Sequence, residues 1–281
     1  MDEIINLGNS MIQHGKHNDR VYLMKLDKND VSDVLYNIEE KAKENDYSKI
    51  FAKVPYGCEK EFLAKGYMVE GHVPEMVKGE NDVLFLGKFL KEWRSKDEDP
   101  NLKLVLEKAL RKKEEGNTLN NENKLISKYY IRLLDKKDSK EMAKVYSEVF
   151  ETYPFPIHDP NYIEETMDDN LVYFGVFMEG KLIAISSCEM DVKNLNVEMT
   201  DFATLPECRG NGLAVNLLMV MEEEMVRRDI KTAYTIARAK SYGMNITFAK
   251  LEYEHSGTLI KNTNIGGDFE TMNIWWKKLK K

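Results

Sequence analysis

The stretch Thr200-Asp201-Phe202-Ala203-Thr204-Leu205-Pro206-Glu207-Cys208-Arg209-Gly210-Asn211-Gly212-Leu213-Ala214 runs from an extended segment through a glycine-rich turn into a long helix. Arg209 to Ala214 spell R-x-x-G-x-A. Glycines let the backbone pass close to a ligand there, and the first N–H groups of the helix are free to hold an anion. The helix is read over Gly212 to Arg228, with Leu213, Leu217, Leu218, Met221 and Met225 on one face. A strand, a glycine turn and a helix in this order form a phosphate cradle.

Downstream, the pattern predicts a strand at Thr232 to Arg238, a helix at Met244 to Tyr253 and strands near Thr258 to Lys261 and Glu270 to Trp276. Upstream it predicts a strand at Tyr130 to Leu133, a helix at Ser139 to Phe150, a proline-rich loop and a short helix after Asp159. Strands at Val172 to Met178, Leu182 to Met190 and Val197 to Thr204 follow, the first two joined by a Glu179-Gly180 turn. Asn245, Ala249, Tyr253 and Gly257 recur every four residues, which predicts three side chains on one helix face and a glycine at the helix end. Residues 129–281 thus read as one mixed-sheet α/β domain.

Residues 1–92 repeat part of that order as a smaller α/β domain. A helix at Val31 to Asn45, a strand at Lys49 to Val54 and a short helix at Cys58 to Lys65 precede strands at Met68 to Pro74 and Asp82 to Leu90. Gly66-Tyr67 takes the place that Gly257 takes in the second run, and no glycine-rich turn accompanies the first. Residues 93–128 read as a polar connection, with a helix carried by Leu102, Val105, Leu106, Ala109 and Leu110 and a solvated stretch from Gly116 to Asn123. His14 and His17 lie in what reads as a polar loop, and no cysteine or carboxylate pattern completes a metal site around them.

A chain of 281 residues is comfortable for two cores. Its 41 basic and 48 acidic residues give a net charge of -7, the wrong sign for neutralising nucleic-acid phosphates or docking on anionic lipid, and suited to a small cation. No apolar run reaches membrane-spanning length and Met1-Asp2-Glu3 is not a basic signal start, so a cytoplasmic protein is expected. Cys58, Cys188 and Cys208 are read as reduced thiols, Cys208 as a packing residue beside the turn.

The turn and the Asn245 to Gly257 spacing together resemble the GNAT family of N-acetyltransferases. The resemblance implies a GNAT fold, acetyl-CoA as cosubstrate and no metal. It places Arg209, Gly210, Asn211, Gly212, Leu213 and Ala214 around the pyrophosphate, Phe202, Ala203 and Thr204 along the pantetheine arm, Asn245 on the same cofactor, and Tyr253 as the acid for the departing thiolate. An amine of pKa about 10.4 arrives protonated, so a base is needed. Glu198 stands first for that role and Asp201 second, or as a partner of the substrate ammonium. Alternate residues of a regular strand face opposite ways, so a bulge is required to bring the two carboxylates to one cleft. Tyr153, Phe155 and His158, in the loop Glu151 to Pro160, are candidates for the acceptor pocket.

The opening Gly8 to Gly15 with Asn18-Asp19-Arg20, the loop Tyr153 to Pro160 and Glu198 to Thr204 resemble, more narrowly, the β-lysine N6-acetyltransferases. That likeness implies acetyl transfer to the ε-amine of L-β-lysine, giving the compatible solute Nε-acetyl-β-lysine used in osmoadaptation. The other readings are another diamine, polyamine or protein-lysine acceptor, or a silent acyl-CoA-binding regulator. A homodimer stays open.

Overall fold

Branched and aromatic residues in alternating runs build strands joined by tight turns, as at Glu179-Gly180, where both residues have positive φ (51° and 80°) and the turn twist matches the flanking strands. The computed structural model describes residues 2–115, 128–153 and 155–280; Gly116 to Asn123 and Pro154 lie outside the described residues. The N-terminal half runs β1 (Glu3–Leu7), β2 (Ser10–Gly15), β3 (Arg20–Lys25), α1 (Val31–Glu44), β4 (Lys49–Pro55), α2 (Glu59–Ala64), β5 (Met68–Val77) and β6 (Asn81–Phe89). After α3 (Pro100–Glu114) come β7 (Tyr129–Leu133), α4 (Ser139–Val149), α5 (Pro160–Asp169), β8 (Leu171–Met178), β9 (Lys181–Asp191) and β10 (Asn196–Thr204). The chain closes with α6 (Leu213–Arg227), β11 (Thr232–Arg238), α7 (Tyr242–Lys250), β12 (Glu254–Ile265) and β13 (Asp268–Lys278).

All these strands form one sheet in the order β1-β2-β3-β4-β6-β5-β12-β13-β11-β10-β9-β8-β7. Its two parallel pairs, β3 with β4 and β10 with β11, are each bridged by a helix, α1 and α6. The halves meet where Gly71 of β5 pairs with Gly257 of β12. A Cβ on Gly257 would stand 2.3 Å from the Glu70 carbonyl oxygen and 2.3 Å from the Gly71 Cα, so only glycine permits this approach. One core lies under α1, a second under α4 and α6, and a third is shared, joining Tyr22, Phe51 and Phe85 to Tyr234, Met272 and Ile274.

Three expectations change. The region read as a polar loop is β2 and β3, with only the turn that carries His17 between them. His14 is a buried strand residue, its Nδ1 3.1 Å from the Tyr47 hydroxyl, because polar side chains are buried here through specific partners rather than an apolar alternation that a sequence pattern would show. The connection is part of the fold: α3, capped by Asp99 with Pro100 in its first turn, packs Val105 and Ala109 inward, and Arg94 is buried against the Phe269 ring. Finally, α7 stops at Lys250, a turn earlier than expected, because Glu252 takes a left-handed φ of 67° and ends it.

Gly257 therefore lies within β12, and the partner of Gly66-Tyr67 is Glu252-Tyr253. Both tyrosines bond their backbone N–H to a phenylalanine carbonyl five residues back, Tyr67 to Phe62 at 3.2 Å and Tyr253 to Phe248 at 3.1 Å. Both pack edge-on against that same ring, at 5.2 Å and 4.9 Å.

Replacing Gly257 with valine should lower unfolding free energy by about 3 kcal/mol or more, through backbone clash at the junction. A urea midpoint equal to that of the parent protein would contradict this.

Candidate active site

Strand β10 is paired with β11 over Asn196 to Glu198 and then diverges from it. On its other side the ladder to β9 slips between Thr200 and Ala203, a bulge in which Asp201 adopts a φ of 52°. The divergence opens a cleft of about 630 Å³ between β10 and β11, floored by Met199, Thr200, Asp201 and Phe202 and ending at Arg209, Gly210, Gly212, Leu213 and Ala214.

The turn has the geometry of an anion cradle. Gly210 and Gly212 have φ of 81° and 70°, and a Cβ on Gly210 would meet nothing within 4 Å. No side chain caps α6, so its first N–H groups remain for a ligand. Arg209 Nε donates to the Thr204 carbonyl at 3.2 Å, and Asn211 Nδ2 to the Cys208 carbonyl at 2.9 Å, which tie the turn to the end of β10. The edge of β10 beyond Glu198 has no strand partner on the β11 side among the described residues, leaving backbone groups of Phe202 to Thr204 for an extended ligand. These residues fit acetyl-CoA. Cys208 is buried beside the turn, and burial raises its thiol pKa, as suits a packing residue.

The bulge brings Asp201 to the face that carries Ser187 and Thr200. Ser187 Oγ donates to Asp201 Oδ2 at 2.5 Å, Thr200 Oγ1 lies 3.4 Å from Oδ1, and the Tyr153 hydroxyl donates to Oδ1. Burial raises the Asp201 carboxyl above its ordinary range, and the three hydroxyl donors offset part of that rise. The same burial, with the Asp201 charge, holds the Tyr153 phenol well above its ordinary value.

Glu198 faces Glu189 directly across the β9–β10 ladder and stands 3.7 Å from Lys53 Nζ of the N-terminal half. Dehydration and then the Glu198 charge push the Glu189 carboxyl up to about 7. Glu189 is exposed, so water screens part of the dehydration and the repulsion from Glu198 is the firmer cause. Over the mouth, Gly266 N donates to Thr152 Oγ1 at 2.8 Å, joining the β12–β13 turn to the α4–α5 loop.

The structure thus gathers Asp201, Phe202, Thr204, Arg209, Gly210, Gly212, Leu213, Ala214 and Tyr153 on the cleft wall, with Asn211 tied into the turn. Ala203 is buried in the ladder opposite Ile185, and Glu198 lies off the wall beside Lys53. Phe155 packs into the core and His158 is exposed, so neither faces the cleft.

Two expected site residues lie away from the cleft wall. Asn245 Nδ2 donates to the carbonyls of Arg238 (3.0 Å) and Ser241 (2.7 Å), while its Oδ1 accepts from Asn273 Nδ2 and Trp275 Nε1 at 2.9 Å each. All its hydrogen-bonding capacity is spent inside the protein. Tyr253, beyond the shortened helix, is fully buried in the α6 core against Phe248, with Glu222 and Lys277 as polar neighbours, and does not line the cleft. Glu189 and Lys53 went unforeseen. Glu189 had a faint signal as an acid late in a strand that opens on the apolar run Leu182 to Ile185, whereas nothing near Lys53 in sequence points to β10.

A splayed strand pair ending on an uncapped, glycine-fronted helix defines an acyl-CoA-dependent N-acyltransferase. The chain belongs to the acetyltransferase (GNAT) family, whose model matches residues 140–246, and is an acetyl-CoA-dependent N-acetyltransferase. It is 43% identical over 282 residues, 99% of each chain, to the β-lysine N(6)-acetyltransferase of Methanococcus maripaludis. It is 41% identical to the β-lysine N(6)-acetyltransferase of Methanosarcina mazei over 61% of this chain and 64% of that one, and 30% identical to the N-acetyltransferase YodP of Bacillus subtilis over 96% of each.

If Asn245 and Tyr253 are structural, Asn245→Ala should lose about 2 kcal/mol or more of stability, because it strands two buried donors. Its KM for acetyl-CoA should stay within about threefold, and Tyr253→Phe should keep kcat within about twofold. Steady-state kinetics with chemical denaturation check both; a kcat loss of about a hundredfold in Tyr253→Phe would restore its acid role.

Proposed function

We propose that this enzyme acetylates the ε-amine of L-β-lysine, yielding the compatible solute Nε-acetyl-β-lysine, by direct attack of the amine within a ternary complex. The observation that carries the site assignment is the β10 bulge, which turns Asp201 to the face of Glu198 and Glu189 at the apex of the splay. Such a face suits an acceptor with two ammonium groups. The near-complete alignment with the Methanococcus maripaludis enzyme supports the choice of β-lysine.

Bound acetyl-CoA supplies an acetyl group on a thioester. Arg209 to Ala214 would hold its pyrophosphate, and the free edge from Phe202 to Thr204 its pantetheine arm. The carboxylates draw in the ammonium, and Asp201 takes its proton. We assign Asp201 rather than Glu198 as the base: it lines the cleft, its raised pKa makes it a stronger proton acceptor, and Glu198 lies off the cleft wall. Tyr153, bonded to Asp201, is the phenol at the cleft in place of Tyr253. Residues 1–92 are read as a degenerate half of the same fold. Residues 26–30, between β3 and α1, contain no glycine, and β3 stays paired with β4 from Arg20 to Leu23, so each chain has one active site.

A base must be unprotonated to act, so activity should fall as pH drops through the raised Asp201 pKa. This acid limb should lie above that of an ordinary aspartate and vanish in Asp201→Asn, with kcat lower by about a hundredfold or more. An unchanged pH–rate profile in that variant would refute the assignment. Thiol release from acetyl-CoA with L-β-lysine, L-lysine, spermidine and a histone peptide should be fastest by kcat/KM with L-β-lysine. Clear turnover of another amine and none of β-lysine would overturn the acceptor.

A further inference from the structure

An amino-acid acceptor brings a carboxylate as well as its amines, and the catalytic half crowds the acceptor face with Glu189, Glu198 and Asp201. A cation facing that carboxylate would offset the repulsion. Of the cations placed around the cleft, Arg238 is forked onto Glu270 at 2.7 and 2.5 Å, and Arg209 belongs to the pyrophosphate turn. Lys53, off the cleft wall beside Glu198, is the cation next to these carboxylates that is left, and it comes from the other half of the molecule.

Its surroundings differ from those of a lysine held for structure alone. Four residues earlier on the same strand, Lys49 is sealed against Glu70 at 2.8 Å, with side-chain exposures of 0% and 5%. Lys53 stands 3.7 Å from Glu198, too far for a direct hydrogen bond, and both side chains keep about 15% exposure (15% and 16%). Lys53 Nζ donates to the Tyr234 hydroxyl at 2.9 Å, and the Tyr22 hydroxyl also faces it. The rings of Tyr22 and Tyr234, 5.5 and 5.1 Å from the ammonium at their centroids, hold it in place. A cation beside two hydroxyls, loosely paired and still reached by water, is a set of donors suited to a carboxylate.

The spacing agrees. Glu198 precedes Asp201 by three residues on β10, so on strand geometry the Lys53 end of the face lies roughly 10 Å from the Asp201 end. That is comparable to the span of an extended six-carbon diamino acid with its hydrogen bonds at either end.

We infer that Lys53, with the Tyr22 and Tyr234 hydroxyls, binds the carboxylate of the amino-acid acceptor and so makes the N-terminal half a determinant of specificity. This rests on the acceptor reading above. Lys53 positions the substrate and takes no part in the proton transfer.

The test compares two acceptors, L-β-lysine and 1,4-diaminopentane, which is the same diamine without its carboxylate. Wild-type enzyme should prefer β-lysine in kcat/KM by about thirtyfold, the scale of one charge-assisted contact. In Lys53→Met that preference should collapse through a rise in the KM for β-lysine, with kcat/KM for 1,4-diaminopentane within about threefold of wild type. Lys53→Arg should keep most of the preference. The KM for acetyl-CoA reports whether the variant is folded, and Tyr234→Phe, with an expected tenfold or so rise in the KM for β-lysine alone, carries the comparison if Lys53→Met does not fold. Equal losses on both acceptors would overturn the inference and leave Lys53 as a prop for Glu198, with the β-lysine reading intact. Equal use of both acceptors by the wild type would also overturn it. Wild-type enzyme that fails on β-lysine would remove the acceptor reading, and this inference with it.

Discussion

Two glycines facing each other, Gly71 and Gly257, let two sheets become one. Backbones this close leave no room for a side chain on Gly257, so the junction is set by the absence of atoms. From it follow the order of the whole sheet, the core shared by Tyr22, Phe51 and Phe85 with Tyr234 and Ile274, and the reach of Lys53 to Glu198. The N-terminal half lacks a phosphate turn of its own, yet it brings Lys53 beside Glu198 of the catalytic half.

Charge reinforces the junction. Arg20, Lys49 and Arg94 are buried near it, and burial lowers them to about 10, 8 and 9 respectively. Lys49 is sealed onto Glu70, which also accepts from the Ile260 N–H at 2.7 Å; Arg20 donates to the Asn262 carbonyl, and Arg94 Nη2 to the Asn18 carbonyl at 2.9 Å. Such cations cost stability when dehydrated, and each is repaid only in one arrangement of the halves. The apolar shared core favours closeness, while the buried charges fix which residues become close.

Much of the catalytic half was legible in the sequence because its signals are local. The R-x-x-G-x-A turn announces itself through glycines with positive φ, and α6 through the periodicity of Leu217, Leu218, Met221 and Met225. What stayed hidden was tertiary. The end of α7 depended on Glu252 adopting a conformation more usual for glycine, so a four-residue spacing suggested a helix face that Tyr253 does not share. Asn245 looked like a ligand-binding residue because a buried amide that ties a strand to a helix has the same letter as one that binds a cofactor. The strands β1 to β3 bury Gln13, His14, Asn18 and Arg20 or place them at their turns, which erased the alternation by which a strand is recognised. Lys53 and Glu198, separated by most of the chain, could be joined only by the fold.

The left-handed backbone at Asp201 has a consequence for how this enzyme can vary. Among residues with side chains, aspartate and asparagine tolerate that conformation best, and glycine more readily still. Of these, aspartate alone carries a carboxylate. Glutamate, often an acceptable exchange, would bring both a conformational penalty and a longer arm that overshoots Ser187 and Tyr153. In its proposed role as base, the position therefore favours aspartate on two separate counts, the backbone conformation and the short carboxylate arm.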